Sequence, residues 1–298
     1  MKKVLIVADK YGTAQLAIQR GIDLANNINS TTEEKISVTI VAFSFEHLNR
    51  FSIALTPEAA QDIQQTILDK RTGEIDAALE NADPEDIQID IQIIWEKDVA
   101  TWLLEYLNIH NYDLLIKSGN RSESFFYSST DWLLIRNCPC PFMILCKNRW
   151  RSKHNVLAAI DLDTKSTSKQ ALNEKVIEQA KFYNQYIGKE LYAAYIVPVS
   201  SVLNDLGLVF ADEEDNQAQK TVLPRLRKYV EQRGLSAKNA IVRAGDPSAK
   251  LTSTAHKLGA DLVVLGCVGH TGLSGKIIGN TAEKILTHLK SDVLVLKP

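Results

Sequence analysis

Residues 261–283 read DLVVLGCVGHTGLSGKIIGNTAE. Leu262 to Leu265 is a short apolar run of the kind that forms a buried strand. Glycines follow at 266, 269, 272, 275 and 279, five of the fourteen in the chain. A loop uses glycine this densely when its backbone must take up positive φ or lie against a ligand with no Cβ between. A helix expected from Asn280 would turn its unpaired N–H groups and the positive end of its dipole to the same space. Strand, glycine-rich loop and helix start together predict a phosphate-bearing ligand at the C-terminal end of a strand.

Two common phosphate loops are excluded by spacing. A P-loop requires Gly-x-x-x-x-Gly-Lys-Ser/Thr, but counting back from Gly275-Lys276 reaches His270, and Ile277 follows the lysine. A dinucleotide fingerprint requires Gly-x-Gly-x-x-Gly, and here the order is Gly266-x-x-Gly269-x-x-Gly272.

Working outward, this region has an echo. NYDLLI at 111–116 pairs with GADLVVL at 259–265, and PFMIL at 141–145 with DVLVL at 292–296. Lys3 to Ala8 ends in Asp9, as Asn155 to Ile160 ends in Asp161. The chain therefore reads as two tandem domains, 1–147 and 151–298, joined near Lys147 to Lys153. Two domains of about 150 residues are a comfortable division for this length.

Each half alternates strands and helices. In the first, strands are expected at Lys3–Ala8, Ser37–Phe45, Ile87–Ile93, Asp113–Lys117 and Phe142–Leu145. Helical spacing covers 13–28. Thr56-Pro57-Glu58 reads as a helix start, and Asp98 as the cap of a helix holding Trp102, Leu103 and Leu107. Another helix is expected around Trp132 to Arg136. Ile87, Ile89, Ile91 and Ile93 alternate with Gln and Asp, which predicts an edge strand. In the second half, strands are expected at Asn155–Ile160, Leu191–Val197, Ala240–Arg243, Asp261–Leu265 and Val293–Leu296. Helices are expected at Ala171–Ala180, in a long region closing with Thr221–Gln232, after Gly245-Asp246-Pro247, and over Thr281–Leu289. The fold class is α/β: two tandem open parallel five-stranded sheets with helices on both faces. Ligands on such sheets sit at the carboxyl ends of the strands, where Asp161 and the glycine loop can converge. The first-half counterpart of that loop, SGNRSESFFYSST at 118–130, holds one glycine, Gly119, so one site in the second domain is expected.

Composition narrows the class. A formal net charge of −2 gives no electrostatic footprint for nucleic acid. The N-terminal MKKVLIVADK lacks the apolar core of a signal peptide, and no run approaches the ~20 apolar residues of a membrane-spanning helix. A cytoplasmic protein with no membrane insertion is expected. Cys138-Pro-Cys140 is not a Cys-x-x-Cys pair and has no histidine near it in sequence. Cys138, Cys140, Cys146 and Cys267 are expected as small buried residues rather than metal ligands.

Gly266-x-x-Gly269, nine residues and then Gly279 before a helix resembles the ATP-binding signature of the universal stress protein family. The resemblance covers the whole chain as two tandem copies; LGCVGHTGLSGKIIGNTAEKIL, TDWLLIRNCPCP and ALNEKVIEQA resemble its tandem-domain type. It implies a Rossmann-like sheet of the adenine nucleotide alpha hydrolase kind, and ATP or ADP as ligand, with Mg brought in on the nucleotide. Carried over by position, it implies that Asp161 hydrogen-bonds adenine or ribose and that Ile196 meets adenine through its backbone. Leu265 and Gly266 would line the ribose side, Gly269 and Gly279 would clear room for the phosphates, and Asn280 and Thr281 would hold them. One departure stands out: the signature usually has Ser or Thr after its last glycine, and this chain has Asn280. An amide can still donate to phosphate, and Thr281 supplies a hydroxyl. In the first half Ser128 stands where the last glycine should be, and no nucleotide is assigned there.

His270 and Lys276 are further candidates for phosphate contact, with solvated loop positions as the alternative. Val202 to Phe210, VLNDLGLVF, could form a lid or an apolar groove, or pack between the halves. Three functions follow. The first is a nucleotide-binding stress-response regulator without substantial catalysis, since no placed general base, arginine finger or carboxylate cluster is visible. The second is a carrier or sensor of a nucleotide-sugar or acyl-tailed ligand. The third is an interaction module whose halves form an internal pseudo-dimer, with a homodimer or a protein as partner and the loop a remnant.

Overall fold

The computed structural model describes residues 1–33, 35–47, 56–119, 129–146, 154–199, 211–272, 275–278 and 280–298. These divide into two compact units, one of residues 1–119 with 129–146, the other of residues 154–298.

The first unit runs β1 (Lys3–Val7), α1 (Leu16–Asn29), β2 (Ser37–Ser44), α2 (Pro57–Ala82), β3 (Gln88–Trp95), α3 (Val99–Ile109), β4 (Leu114–Ser118), α4 (Ser129–Asn137) and β5 (Phe142–Leu145). Its strands lie in the order β3-β2-β1-β4-β5, all parallel. Parallel strands need crossover connections, and the helices supply them. The helix signals in the sequence are realised as caps. Thr56 accepts from the Ala59 N–H at 3.2 Å ahead of Pro57, and Asp98 accepts from the Thr101 N–H at 3.2 Å. α2 ends where Asp83 takes a left-handed φ of 51°. β3 closes this order at one end with Ile89, Ile91 and Ile93 half-buried, as the alternating pattern predicts.

The second unit repeats the plan with β6 (Asn155–Ala159), α5 (Thr167–Ile187), β7 (Leu191–Pro198), α6 (Ala211–Thr221), α7 (Leu223–Glu231), β8 (Ala240–Gly245), α8 (Pro247–Leu258), β9 (Ala260–Gly266), β10 (Gly269–Gly272), β11 (Gly275–Ile278), α9 (Asn280–His288) and β12 (Asp292–Leu296). Its parallel strands lie in the order β12-β9-β6-β7-β8. Leu157, Val263, Val264, Val293 and Leu294 are fully buried, which is why these segments read as continuous apolar runs. Asp246 caps α8 by accepting from the Ala249 N–H at 2.8 Å, Pro247 stands in its first turn, and Gly259 ends it at φ 60°.

Three expectations are corrected. The glycine-rich segment is not all loop: β10 and β11 form an antiparallel ribbon that pairs Gly269 with Ile278 and Gly272 with Gly275. Thr271, Ile277 and Ile278 are β-branched and favour strand, which a glycine count conceals. The helical region before β8 is two helices, because Pro224 in the first turn of α7 has no N–H to continue α6. α5 extends well beyond Ala171–Ala180 on both sides.

Candidate functional site

The strand order reverses between β6 and β9, so the carboxyl ends of these two strands open a crevice. A cavity of about 420 Å³ lies there, within the usual range for small-molecule sites. Its wall includes Asp161 after β6, Ile196 on β7, and Leu265 and Gly266 at the end of β9. Four of the eight positions singled out in the sequence therefore share one cavity.

Asp161 is fixed through its backbone. The buried Asn173 on α5 accepts from the Asp161 N–H at 3.0 Å and donates to the Asp161 carbonyl at 2.8 Å. This two-point grip leaves the carboxylate unspent on the fold; its side chain is half exposed, with Lys169 Nζ at 3.8 Å. Asp161 and Lys169 are the charged groups of the lining, and Leu172, Leu251, Val268 and Ile285 make the rest largely apolar. Such a wall suits a flat, weakly polar body with a few directional contacts.

Ile196 presents backbone polar groups. The Ala194 carbonyl accepts from the Ile160 N–H at 3.0 Å, so Ala194 turns its polar groups toward β6. In a parallel ladder, residues two apart face the same way. Ile196 thus points its N–H and C=O past Ala159, the last residue of β6, at the cavity.

Gly266 is where a side chain would force the wall to move. A Cβ there would stand 2.5 Å from Leu172 Cδ2. Leu172 itself lines the cavity, so displacing it would fill ligand space. A cradle that a Cβ would close, a carboxylate held at the rim and an outward backbone edge fit an adenine nucleotide.

The remaining predicted positions lie on the ribbon, at the start of α9 or outside the described residues. Gly269 lies in β10, opposite Ile278. Gly279 and Val202 to Phe210 lie outside the described residues. Asn280 and Thr281 begin α9, as the sequence predicts, and that helix contributes Ile285 to the cavity. His270 and Lys276 are placed in the ribbon by their backbones alone, opposite Ile277 and Thr271.

Sequence reasoning missed Asn173 and Tyr195. Asn173 was detectable as a polar residue on the face that buries Leu172, Val176 and Ile177. Tyr195 lines the cavity and donates to Asp163 Oδ2 at 3.0 Å, while Arg225 holds Asp163 Oδ1 at 2.6 Å. Burial and the Asp163 contact raise the Tyr195 hydroxyl well above the ordinary tyrosine range, so it stays protonated.

The first unit uses the same strand ends differently. Asp9 spends its carboxylate on the Ala17 N–H at 2.9 Å, and the buried Arg71 donates to its carbonyl while pairing with Glu74. Lys117 near the end of β4 forms a buried ion pair with Asp131 in α4 at 2.7 Å. The matching residues of the second unit are Leu265 and Ala282.

Cys138, Cys146 and Cys267 are buried and all four cysteines are unbridged, with Cys138 and Cys140 sulfurs 3.6 Å apart. Burial pushes the Cys267 thiol up to about 11, which argues against a reactive thiolate. Among the described residues no group of three or more His, Cys, Asp or Glu could hold a metal ion, and no helix is long and apolar enough to cross a membrane.

Comparison with known proteins agrees with this fold. The model of the universal stress protein family matches residues 153–297. Universal stress protein E of Escherichia coli K12 is 26% identical over 303 residues, covering 100% of this chain and 94% of its own length. The universal stress protein E homolog of Haemophilus influenzae is 24% identical, with 100% and 97% covered. Among solved structures, a putative universal stress protein from Pseudomonas aeruginosa superposes with a TM-score of 0.72 at 21% identity, covering 100% of this chain and 94% of that one. One from Archaeoglobus fulgidus gives 0.63 at 14% identity, with 99% and 98% covered.

Proposed function

Because the chain belongs to the universal stress protein family, we propose that it is a stress-response regulator whose second unit holds one adenine nucleotide, ATP or ADP, without substantial catalysis. The observation that carries this reading is the cavity at the β6/β9 switch point, with Asp161 gripped by Asn173 at its rim and Gly266 where a Cβ would displace Leu172. Asp161 would accept from the ribose or the base, the Ile196 backbone would meet the base, and the phosphates would run toward the start of α9. There Asn280 and Thr281 supply N–H groups at the positive end of a helix. Gly269 and Gly279 would keep the ribbon and the helix start clear of the phosphates. Mg, arriving on the nucleotide, would neutralise phosphate charge.

The first unit reads as a second domain of the same family that has lost its ligand, its strand ends occupied by Arg71 and by the Lys117–Asp131 pair. A cytoplasmic location accords with this function. The apolar share of the lining favours a second reading, a nucleotide carrying an apolar, acyl-tailed extension.

The test is calorimetric titration of the full chain with ATP. Binding at about one equivalent, weakened at least tenfold in Gly266→Val, a loss of about 1.4 kcal/mol, is expected. No heat with the unaltered protein, or binding indifferent to Gly266→Val, would overturn the reading.

A further inference from the structure

Each unit ends its strand order on an edge strand, β3 in the first and β8 in the second, and the two edges are finished differently. In the second unit α6 packs on β8 and closes its outer side. Asp215 on α6 accepts from the Ala244 N–H at 2.7 Å and from Arg243 Nε at 2.9 Å, and Gln219 donates to the Val242 carbonyl.

β3 has no such cover among the described residues. The Glu96 N–H donates to the Ser44 carbonyl at 3.1 Å, so the even-numbered residues of β3 turn their main chain to β2. Ile89, Ile91, Ile93 and Trp95 turn theirs away, and those N–H and C=O groups meet no hydrogen-bond partner among the described residues. α2, the unbroken counterpart of α6 and α7, spends Arg71 and Glu74 on Asp9 and Gly12 instead.

Edge strands are ordinarily blunted by proline, lysine, a bulge or short length. β3 is eight residues long, pairs with β2 through all eight without a bulge, and carries no proline or lysine. Its single charge is Asp90. Ile89, Ile91 and Ile93 are half-buried, an apolar row that a further strand would cover. The strand is also self-complementary. Two copies run antiparallel about a two-fold axis at Gln92 set Ile91 opposite Ile93 and Ile89 opposite Trp95, which uses all four outward residues. Asp90 then faces Ile94, and the two Asp90 carboxylates stand about 13 Å apart along the strands, beyond the screening length of about 8–10 Å. An axis at Ile93 would instead oppose Asp90 to Glu96.

We propose that the β3 edge is an isologous homodimer interface, its occupant the β3 of a second copy of this chain, joined antiparallel about Gln92. The pairing does not involve the β6/β9 cavity and does not depend on that cavity being filled.

The experiment is sedimentation of the full chain over a wide range of concentration, beside Ile91→Pro, with oxidative crosslinking of Gln92→Cys and Asp90→Cys. The proposal expects a dimer that dissociates on dilution, with a dissociation constant raised at least tenfold in Ile91→Pro. The Ile91 N–H faces away from β2, so proline there leaves the β2 ladder whole. Across the axis the two Gln92 residues are non-hydrogen-bonded neighbours with Cα atoms about 4.5 Å apart, within reach of a disulfide. Gln92→Cys should therefore crosslink into dimers under copper–phenanthroline oxidation. Asp90→Cys, about 13 Å from its mate, should not exceed the background from the four native cysteines. The crosslink reads the register even where Ile91→Pro fails to fold. A chain monomeric at every concentration would overturn the proposal and leave the edge to an extended strand of another protein. A dimer unmoved by Ile91→Pro, or one in which Asp90→Cys crosslinks and Gln92→Cys does not, would overturn it as well.

Discussion

Asp9 and Asp161 close equivalent strands of the two units, yet their partners differ. The Asp9 carboxylate accepts from the Ala17 N–H in the first turn of α1 at 2.9 Å, whereas Asp161 is gripped by Asn173 through its main chain and leaves its carboxylate half exposed at the cavity. Sequence alone could place both aspartates at strand ends but could not say which carboxylate is already used, because that depends on side chains from another element. Two outcomes belong at this scale. Asp161→Ala should weaken ATP at least tenfold while leaving inorganic triphosphate affinity within a factor of about two, since the lost contact is to the nucleoside; calorimetry with both ligands checks it. Asn173→Ala should cost about 1–3 kcal/mol of stability, because the Asp161 N–H and C=O lose their shared partner in a half-buried place, and a denaturant melt reads that directly.

At the scale of elements, capping was legible and bridging was not. Thr56-Pro57, Asp98 and Asp246-Pro247 announce helix starts from local chemistry alone, and each cap is made. The ribbon of β10 and β11 was hidden because glycine density outweighed the β-branched residues beside it. Contacts between elements leave weaker traces. Glu174 on α5 binds Arg233 at 2.5 Å and Tyr229 at 3.0 Å, tying α5 to the segment at and after α7. The Arg233 hydrogen bond, above all, holds the Glu174 carboxyl below the ordinary glutamate range. A depressed folded-state pKa contributes stability above the unfolded value of about 4.3, and that contribution is lost as pH falls through the lower folded value. Glu174→Gln should therefore lower the melting temperature at pH 7 and converge on the unaltered protein as pH falls below the ordinary glutamate range. These groups are partly exposed, so the effect at pH 7 should be modest, under about 1 kcal/mol.

For the whole molecule, the tandem plan was readable because buried parallel strands leave apolar runs that repeat in order. The asymmetry between the units was only half readable. One glycine against five marked the first unit as altered, but the replacement, a buried Lys117–Asp131 pair where the second unit has Leu265 and Ala282, required the fold to be seen. Lys117→Leu alone should destabilise the first unit by about 3–5 kcal/mol, because it removes the cationic half of a buried ion pair. Lys117→Leu with Asp131→Ala, the pairing found in the second unit, should restore most of that. Denaturant melts of the single and double variants check the difference. The measurement that tests the central claim most directly is native mass spectrometry of the freshly purified full chain, repeated with added ATP and with released ligands identified after denaturation. One adenine nucleotide per chain, absent in Gly266→Val, is the predicted result. A chain that stays bare in excess ATP, or one that carries two nucleotides, would contradict the account.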